Sequence, residues 1–324
     1  MTVLKKALGV GMALLLLVSG CQKHDSSQKL VAFSQANNAE PYRAAQKALM
    51  EKLFQQSPDV KLVVSDAQQD NSKQIAQIET FIRVRPDVLI VAPNERAALS
   101  AVMGQALQAG IPVICLERDI AQPNYTSYIR IDNHTIGRMA GQFIVDSLTK
   151  KNGAPRGTVV ILRGLLGVEA QINRDGGARE VLAQYPDIHI VADPVADWIQ
   201  AKAKDRMTEV LRVQPHIDVV YAHNDPMAVG AYLAAKELNR EQEMIFIGVD
   251  GLGGPAGGIK KVMDGVLAAT FVYPLGVQEA VDIANKILHD PAYRPVKEVT
   301  LSSVMVTPDN AARLYKDLTV AGEG

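Results

Sequence analysis

From Leu30 onward the chain alternates short β-rich runs with longer segments of helical period, and no other feature restricts its fold as strongly. Runs too short to be helices, each followed by an amphipathic stretch, build stacked βαβ units around a mainly parallel sheet. Strands are expected at Leu30 to Phe33, Lys61 to Ser65, Val88 to Ala92 and Val113 to Leu116. Helices are expected between them at Tyr42 to Gln56, Ser72 to Val84 and Ala97 to Ala109. Pro58, Pro86 and Gly110-Ile-Pro112 punctuate their ends. This is one complete α/β unit.

Tyr128 to Ile131 forms a further strand, Asp132-Asn133 follows it, and a second series opens with a helix over Thr135 to Thr149. Its strands are expected at Thr158 to Leu162, Ile188 to Val191, Ile217 to Tyr221 and Ile245 to Val249, with helices at Gln171 to Tyr185, Ile199 to Val213 and Met227 to Glu237. A strand over Ala268 to Val272, a helix over Leu275 to His289, an extended run from Val296 to Val306 and an extended tail from Thr307 to Gly324 complete the chain. At 324 residues it is long enough for two domains with separate cores. No short-period repeat is present, so the duplication is architectural.

Open parallel sheets bind ligands at the carboxyl ends of their strands, so the residues just after each strand carry the functional reading. The first strand is followed by Ser34, Gln35, Glu40, Tyr42 and Arg43, and the fourth by Glu117 and Arg118. In the second half the matching positions hold Gly164 to Gly167 with Arg174, Trp198, Asn224-Asp225 and Asp250-Gly251, and Tyr273 follows the late strand. Aromatic faces with in-plane polar groups suit a sugar, which has apolar C–H faces and a rim of hydroxyls. Other readings exist for single residues. Trp198 serves equally as a core anchor, Asp225 before Pro226 as a helix cap, and Arg43 and Arg174 as solvated surface groups. Asn224 is read as the ligand contact, Asp225 as a contact that can double as cap, and His223 as structural. Gly251 to Gly258 lacks the Gly-Lys-Ser/Thr ending of a phosphate loop and reads as a loop before a helix.

Taken together, Phe33-Ser-Gln35, Leu116-Glu-Arg118, Asp132-Asn133, Gly164 to Gly167 with Arg174, Tyr221-Ala-His-Asn-Asp225 and Gly248-Val-Asp-Gly251 resemble the periplasmic sugar-binding proteins of the ribose and galactose type. The likeness runs from Leu30 to about Ser302, and Ser34-Gln35 with Tyr42-Arg43-Ala-Ala is most similar to the galactofuranose-binding branch. It implies the type I periplasmic binding fold, an α/β architecture of two Rossmann-like three-layer domains with parallel sheets joined by a three-segment hinge. The first lobe is then residues 30–132 plus 274–294 and the second 133–273 plus 295–324, with crossings near Asp132, Tyr273 and Pro295.

The resemblance also implies roles. Tyr42 and Trp198 fall where rings pack on the sugar faces, and Arg43, Arg118 and Arg174 where forked guanidinium donors hold adjacent hydroxyls. Asn224, Asp225 and Asp250 match polar groups that read the remaining hydroxyls. Ser34, Gln35, Glu40, Glu117 and Tyr273 complete the expected ligand-binding set. Glu117 stands where an aspartate is usual and Tyr273 where glutamine or glutamate is common.

Lys5 and Lys6 precede an apolar run from Ala7 to Val18 that has the layout of a secretion signal. Its closing Leu17-Val-Ser-Gly-Cys21 resembles the bacterial lipobox, which implies a cleaved signal over residues 1–21 and a lipidated Cys21. Residues 22–29 are polar and read as a tether. Gln22 beside the cysteine resembles lipoproteins sent to the outer membrane of a Gram-negative host. Cys115, the only other cysteine, lies in an apolar run and reads as a small buried hydrophobe. No metal or cofactor is expected.

A net charge of −1 gives no reason to expect nucleic acid as a partner. The expected protein is a monomeric, lipid-anchored periplasmic solute-binding component of an ABC-type sugar transporter. It binds a neutral monosaccharide or polyol, delivers it to a membrane permease, and catalyses no reaction. The alternative is a sensory subunit that signals to a receptor kinase or chemoreceptor.

Overall fold

The computed structural model describes residues 28–321. The first series consists of β1 (Lys29–Gln35), α1 (Pro41–Phe54), β2 (Val60–Asp66), α2 (Asn71–Val84), β3 (Val88–Ala92), α3 (Ser100–Gln108), β4 (Val113–Glu117) and β5 (Ser127–Ile131). The second consists of α4 (Asn133–Asn152), β6 (Gly157–Leu162), α5 (Glu169–Leu182), β7 (Ile188–Ala192), α6 (Gln200–Val213), β8 (Val219–Ala222), α7 (Asp225–Glu237), β9 (Ile245–Ile247), α8 (Gly258–Met263) and β10 (Thr270–Val272). The chain then runs through α9 (Val277–His289), β11 (Glu298–Leu301), β12 (Val304–Val306) and α10 (Ala311–Ala321).

The first sheet has the order β11-β5-β4-β3-β1-β2, with every pair parallel. Its central strands Val-Leu-Ile-Val-Ala and Val-Ile-Cys-Leu-Glu are buried at every position, because helices cover both faces. Phe33, Ile90 and Ile114 face α1 and α9, whereas Leu89, Val91 and Cys115 face α2 and α3. Cys115 is fully buried, and its thiol donates to the Arg118 carbonyl at 3.2 Å. The second sheet, β7-β6-β8-β9, is also parallel. It lies between α4 and α5 on one face and α6 and α7 on the other. β10 continues it beside β9 through isolated bridges, and β12 pairs antiparallel with β10. Each lobe is thus a three-layer unit.

Two glycines set the helix spacing that matters most for the cleft. A Cβ on Gly137 of α4 would lie 2.4 Å from the Arg174 carbonyl oxygen of α5, and one on Gly177 would lie 2.3 Å from the His134 carbonyl oxygen. The two backbones touch there, which brings Asn133 at the start of α4 beside Arg174.

The end of the chain corrects the expected lobe boundary. Val296 to Val306 is not one extended run. β11 pairs parallel with β5 on the edge of the first sheet, and only after Ser302-Ser303 does β12 join β10. The third crossing therefore lies at residues 302–303 rather than near Pro295, and residues 298–301 belong with the first lobe. Residues 311–321, expected as extended tail, form α10, which packs Leu314 and Leu318 against the second core. Its Ala311, Leu314 and Leu318 have helical spacing. β1 begins at Lys29, inside the expected tether. The expected signal, Cys21 and residues 22–27 lie outside the described residues.

Candidate functional site

The carboxyl ends of both sheets converge on a small cavity of about 20 Å³. It is lined by Glu40, Tyr42, Arg43, Glu117 and Arg118 from the first lobe and by Ala170, Arg174, Trp198, Asn224, Asp250 and Tyr273 from the second and its crossing. Every expected ligand-binding residue except Ser34, Gln35 and Asp225 is among them. A wider opening of about 590 Å³ lies outside, between residues 37–41, Asp66 and residues 68–69 of one lobe and residues 198–200 and Pro226 of the other. Glu40 and Trp198 line both spaces.

The first wall is an ionic cluster. α1 starts with Pro41 at its first position, which turns Tyr42 and Arg43 inward. Arg43 bonds Glu117 Oε2 at 2.5 Å and Gln46 Oε1 at 2.9 Å. Arg118 lies 3.7 Å from the same Glu117 oxygen and donates to the Asn94 carbonyl at 2.9 Å. Burial pushes the Glu117 carboxyl up, but Arg43, Arg118 and the Tyr273 hydroxyl together hold it below the usual range. Burial, with Arg43 alongside, lowers the Arg118 pKa. Glu40 accepts from Asn37 at 2.6 Å and Gln69 at 2.9 Å.

The second wall is built around Trp198. Its indole lies on Gly164, where a Cβ would come within 2.1 Å of the ring. The Arg118 guanidinium of the first lobe stands 6.0 Å from the ring centre and that of Arg174 5.8 Å. Arg174 donates to Asn133 Oδ1 at 2.9 Å and to the His223 carbonyl at 2.5 Å, and it lies 4.3 Å from the Tyr273 ring centre. His223 is fully buried and accepts from the Gly164 amide at 3.4 Å. Burial and then Arg174 push its imidazole well below its ordinary pKa, so it is neutral and structural. Glu117, Trp198 and Asp250 have φ of 68°, 70° and 132°. Three strained non-glycine backbones in one cavity are a concentration typical of functional sites.

The roles of Asn224 and Asp225 are divided differently from the expectation. Asn224, with φ −149°, is the N-cap of α7: its Oδ1 accepts from the Met227 amide at 3.0 Å, and its Nδ2 donates to the Trp198 carbonyl at 3.1 Å. Asp225 is already helical and cannot cap. Its carboxyl accepts from the Gly251 amide at 2.8 Å and from Thr270 Oγ1 at 2.6 Å, so it clamps the loop that carries Asp250 and stays off the cavity. Ser34 and Gln35 also lie behind the wall, where Ser34 meets Gln74 at 3.2 Å and Gln35 donates to the Arg43 carbonyl at 3.3 Å.

Asn133 and Gln46 carry roles that the sequence reading did not assign. Asn133 follows β5 just as the assigned residues follow their strands, and Gln46 is one turn beyond Arg43. Those positions were the available signals.

Asp250 differs from the other carboxylates. No described side chain hydrogen-bonds to it. Burial, then the nearby Asp225, drives its pKa well above the ordinary value. Among the lining residues, the buried Arg43 Nε, Arg118 Nε and Trp198 Nε1 also lack hydrogen-bond partners. Three guanidinium groups face Glu40, Glu117 and Asp250, so the cavity carries basic and acidic groups together. The site offers unmet donors, an unmet carboxyl and an indole, which together suit a neutral polyhydroxylated ligand.

The family model for the periplasmic binding protein domain matches residues 31–289. The chain belongs to the periplasmic binding proteins. Within that family it is 30% identical over 313 residues to the galactofuranose-binding protein YtfQ of Escherichia coli, covering 92% of this chain and 95% of the relative. The fructose-binding periplasmic domain of a hybrid two-component system superposes with a TM-score of 0.84 at 34% identity, over 91% of this chain and 96% of that one. The binding protein of the arabinose ABC transporter from Shewanella sp. ANA-3, solved with α- and β-L-arabinofuranose, gives 0.82 at 28% identity, over 91% and 98%. These relatives are solute-binding proteins.

Proposed function

We propose that this periplasmic binding protein is the substrate-binding component of an ABC-type sugar transporter and takes up a neutral monosaccharide or small polyol between its lobes. The observation that carries this reading is the cavity lined from both lobes, with Trp198 beside the Asp250 carboxyl, to which no described side chain hydrogen-bonds, and the Arg43 and Arg118 Nε groups, which lack hydrogen-bond partners. Trp198 and Tyr42 stack on the sugar. Arg43, Arg118, Arg174, Asn224, Asp250 and Glu40 meet its hydroxyls, while Glu117 and Tyr273 hold the floor. The galactofuranose and arabinofuranose in the names of the relatives favour a five-membered ring form. Closure follows from ligand contacts to both walls, which favour the closed state.

A thermal-shift screen over pentoses, hexoses in both ring forms and inositols tests this, since a ligand that binds only the native state raises Tm. At least one sugar is expected to give a shift that Trp198→Ala and Arg174→Ala each abolish without unfolding the protein. An unchanged shift in both variants would place the ligand elsewhere.

The likeness to the two-component sensor domain favours a second reading, in which the same closure is passed to a receptor kinase. Cross-linking from membranes separates the two by recovering a permease or a kinase. Anchoring through Cys21 is also our proposal, supported by the lipobox-like Leu17 to Cys21. Labelled fatty acid that enters the wild-type chain but not Cys21→Ser tests it, and equal labelling of both would refute it. A monomer is the proposed working form.

A further inference from the structure

A hydrogen-bonded chain crosses the floor of the cavity from one sheet to the other. Arg43 bonds Glu117 Oε2 at 2.5 Å, and Glu117 Oε1 accepts from the Tyr273 hydroxyl at 2.8 Å. That hydroxyl accepts from Asn133 Nδ2 at 3.1 Å, and Asn133 Oδ1 accepts from Arg174 Nε at 2.9 Å. Arg43 and Glu117 stand on the first lobe, Asn133 on the first crossing, Tyr273 on the second crossing and Arg174 on the second lobe. All five are at least 97% buried.

A tyrosine hydroxyl has a single proton, and here it goes to Glu117 while Asn133 takes up acceptor capacity. The polar end of Tyr273 is therefore directed at the groups that hold the two arginines. Its ring contacts Tyr42, with centroids 5.1 Å apart, and lies under the Arg174 guanidinium.

We infer that Tyr273 is a positioning residue: its hydroxyl fixes Glu117 and Asn133, and through them sets the Arg43 and Arg174 guanidinium groups of opposite walls in one arrangement for the ligand. Removing the hydroxyl leaves a buried Glu117 carboxylate oxygen without a partner and takes one acceptor from Asn133 Nδ2, which then rests only on Glu169 Oε2 at 2.8 Å and the Ile131 carbonyl at 3.3 Å. Such deletions in a dry network propagate to its other members. The inference rests on the reading of this cavity as the sugar site.

Tyr273→Phe keeps the ring and removes the link. In calorimetry its affinity for the best sugar is expected to fall roughly 10- to 100-fold. In sugar-free protein followed by NMR, the Glu117 carboxyl is expected to titrate at higher pH than in wild type, because one of the groups holding it down is gone. The Arg174 Nε–H resonance is expected to move as well. A hydroxyl with a merely structural role would lower Tm and leave that resonance in place. Tyr273→Gln supplies both a donor and an acceptor, and is expected to recover part of the lost affinity. An unmoved Glu117 titration together with an unmoved Arg174 resonance in Tyr273→Phe overturns the inference, whatever the affinity does. Wild-type protein that binds no sugar overturns the sugar reading instead, and the ligand-free NMR comparison still decides the relay.

Discussion

Asn224 and Asp225 show how one position along a strand end separates two roles. The residue still in extended conformation caps the helix and faces the cleft. The next one turns back to hold a neighbouring loop. Sequence spacing gave the pair but not the division, because capping depends on a φ that the residue types share. Likewise Trp198, Glu117 and Asp250 were legible as candidates from their places after strands, whereas their left-handed backbones were not. Burial pushes the Asp225 carboxyl up to about 6, against hydrogen bonds from Thr270 and Gly251 and the charge of Arg174. Between the ordinary carboxylate value of about 4 and that point, the folded protein keeps a proton that the unfolded chain releases. The stability contributed by this group therefore falls as pH rises through that window and levels off above it. Denaturant unfolding from pH 4 to 7 is expected to show a descent that Asp225→Asn flattens, and an equal slope in the variant would assign the effect to other groups.

Among the elements, the strands and helices of the two series lie close to where hydrophobic period and Gly and Pro punctuation place them. Period says which face of a helix is buried, but not how near two helices approach. The α4 and α5 contact depends on that second quantity. Gly137 meets the Arg174 backbone, so the packing that stabilises the lobe also places a cavity-lining guanidinium. Gly137→Ala sets a methyl 2.4 Å from the Arg174 carbonyl oxygen. It is expected to cost about 1–3 kcal/mol of stability through overpacking. It should also weaken sugar binding beyond what Gly176→Ala does, since a Cβ at Gly176 meets nothing within 4 Å. Denaturant midpoints and calorimetry on both variants check this. Equal behaviour would mean that the close contact does not position Arg174. β11 and α10 were misread for related reasons. Two short strands in different sheets look like one run when only Ser302-Ser303 separates them, and an amphipathic helix at a chain end lacks the alternation that marked the others.

The whole molecule is two α/β units whose strand ends face one another and whose chain crosses between them at three places. Asp132-Asn133 and Tyr273 mark expected crossings because each follows the end of a strand. The third was displaced because sheet membership is a long-range pairing that local pattern does not encode. The cavity takes residues from strand ends along nearly the whole fold, so no short segment of sequence contains it. Trp198 is the only tryptophan in the chain, and it sits at the cavity with Arg118 of the opposite lobe over its ring. Its fluorescence therefore reports directly whether a sugar enters between the lobes. Titration with the sugar that most raises Tm is expected to change the Trp198 emission saturably, at one sugar per chain and with the calorimetric affinity. A sugar that raises Tm and binds in calorimetry but leaves the Trp198 emission unchanged would contradict a ligand held in this cleft.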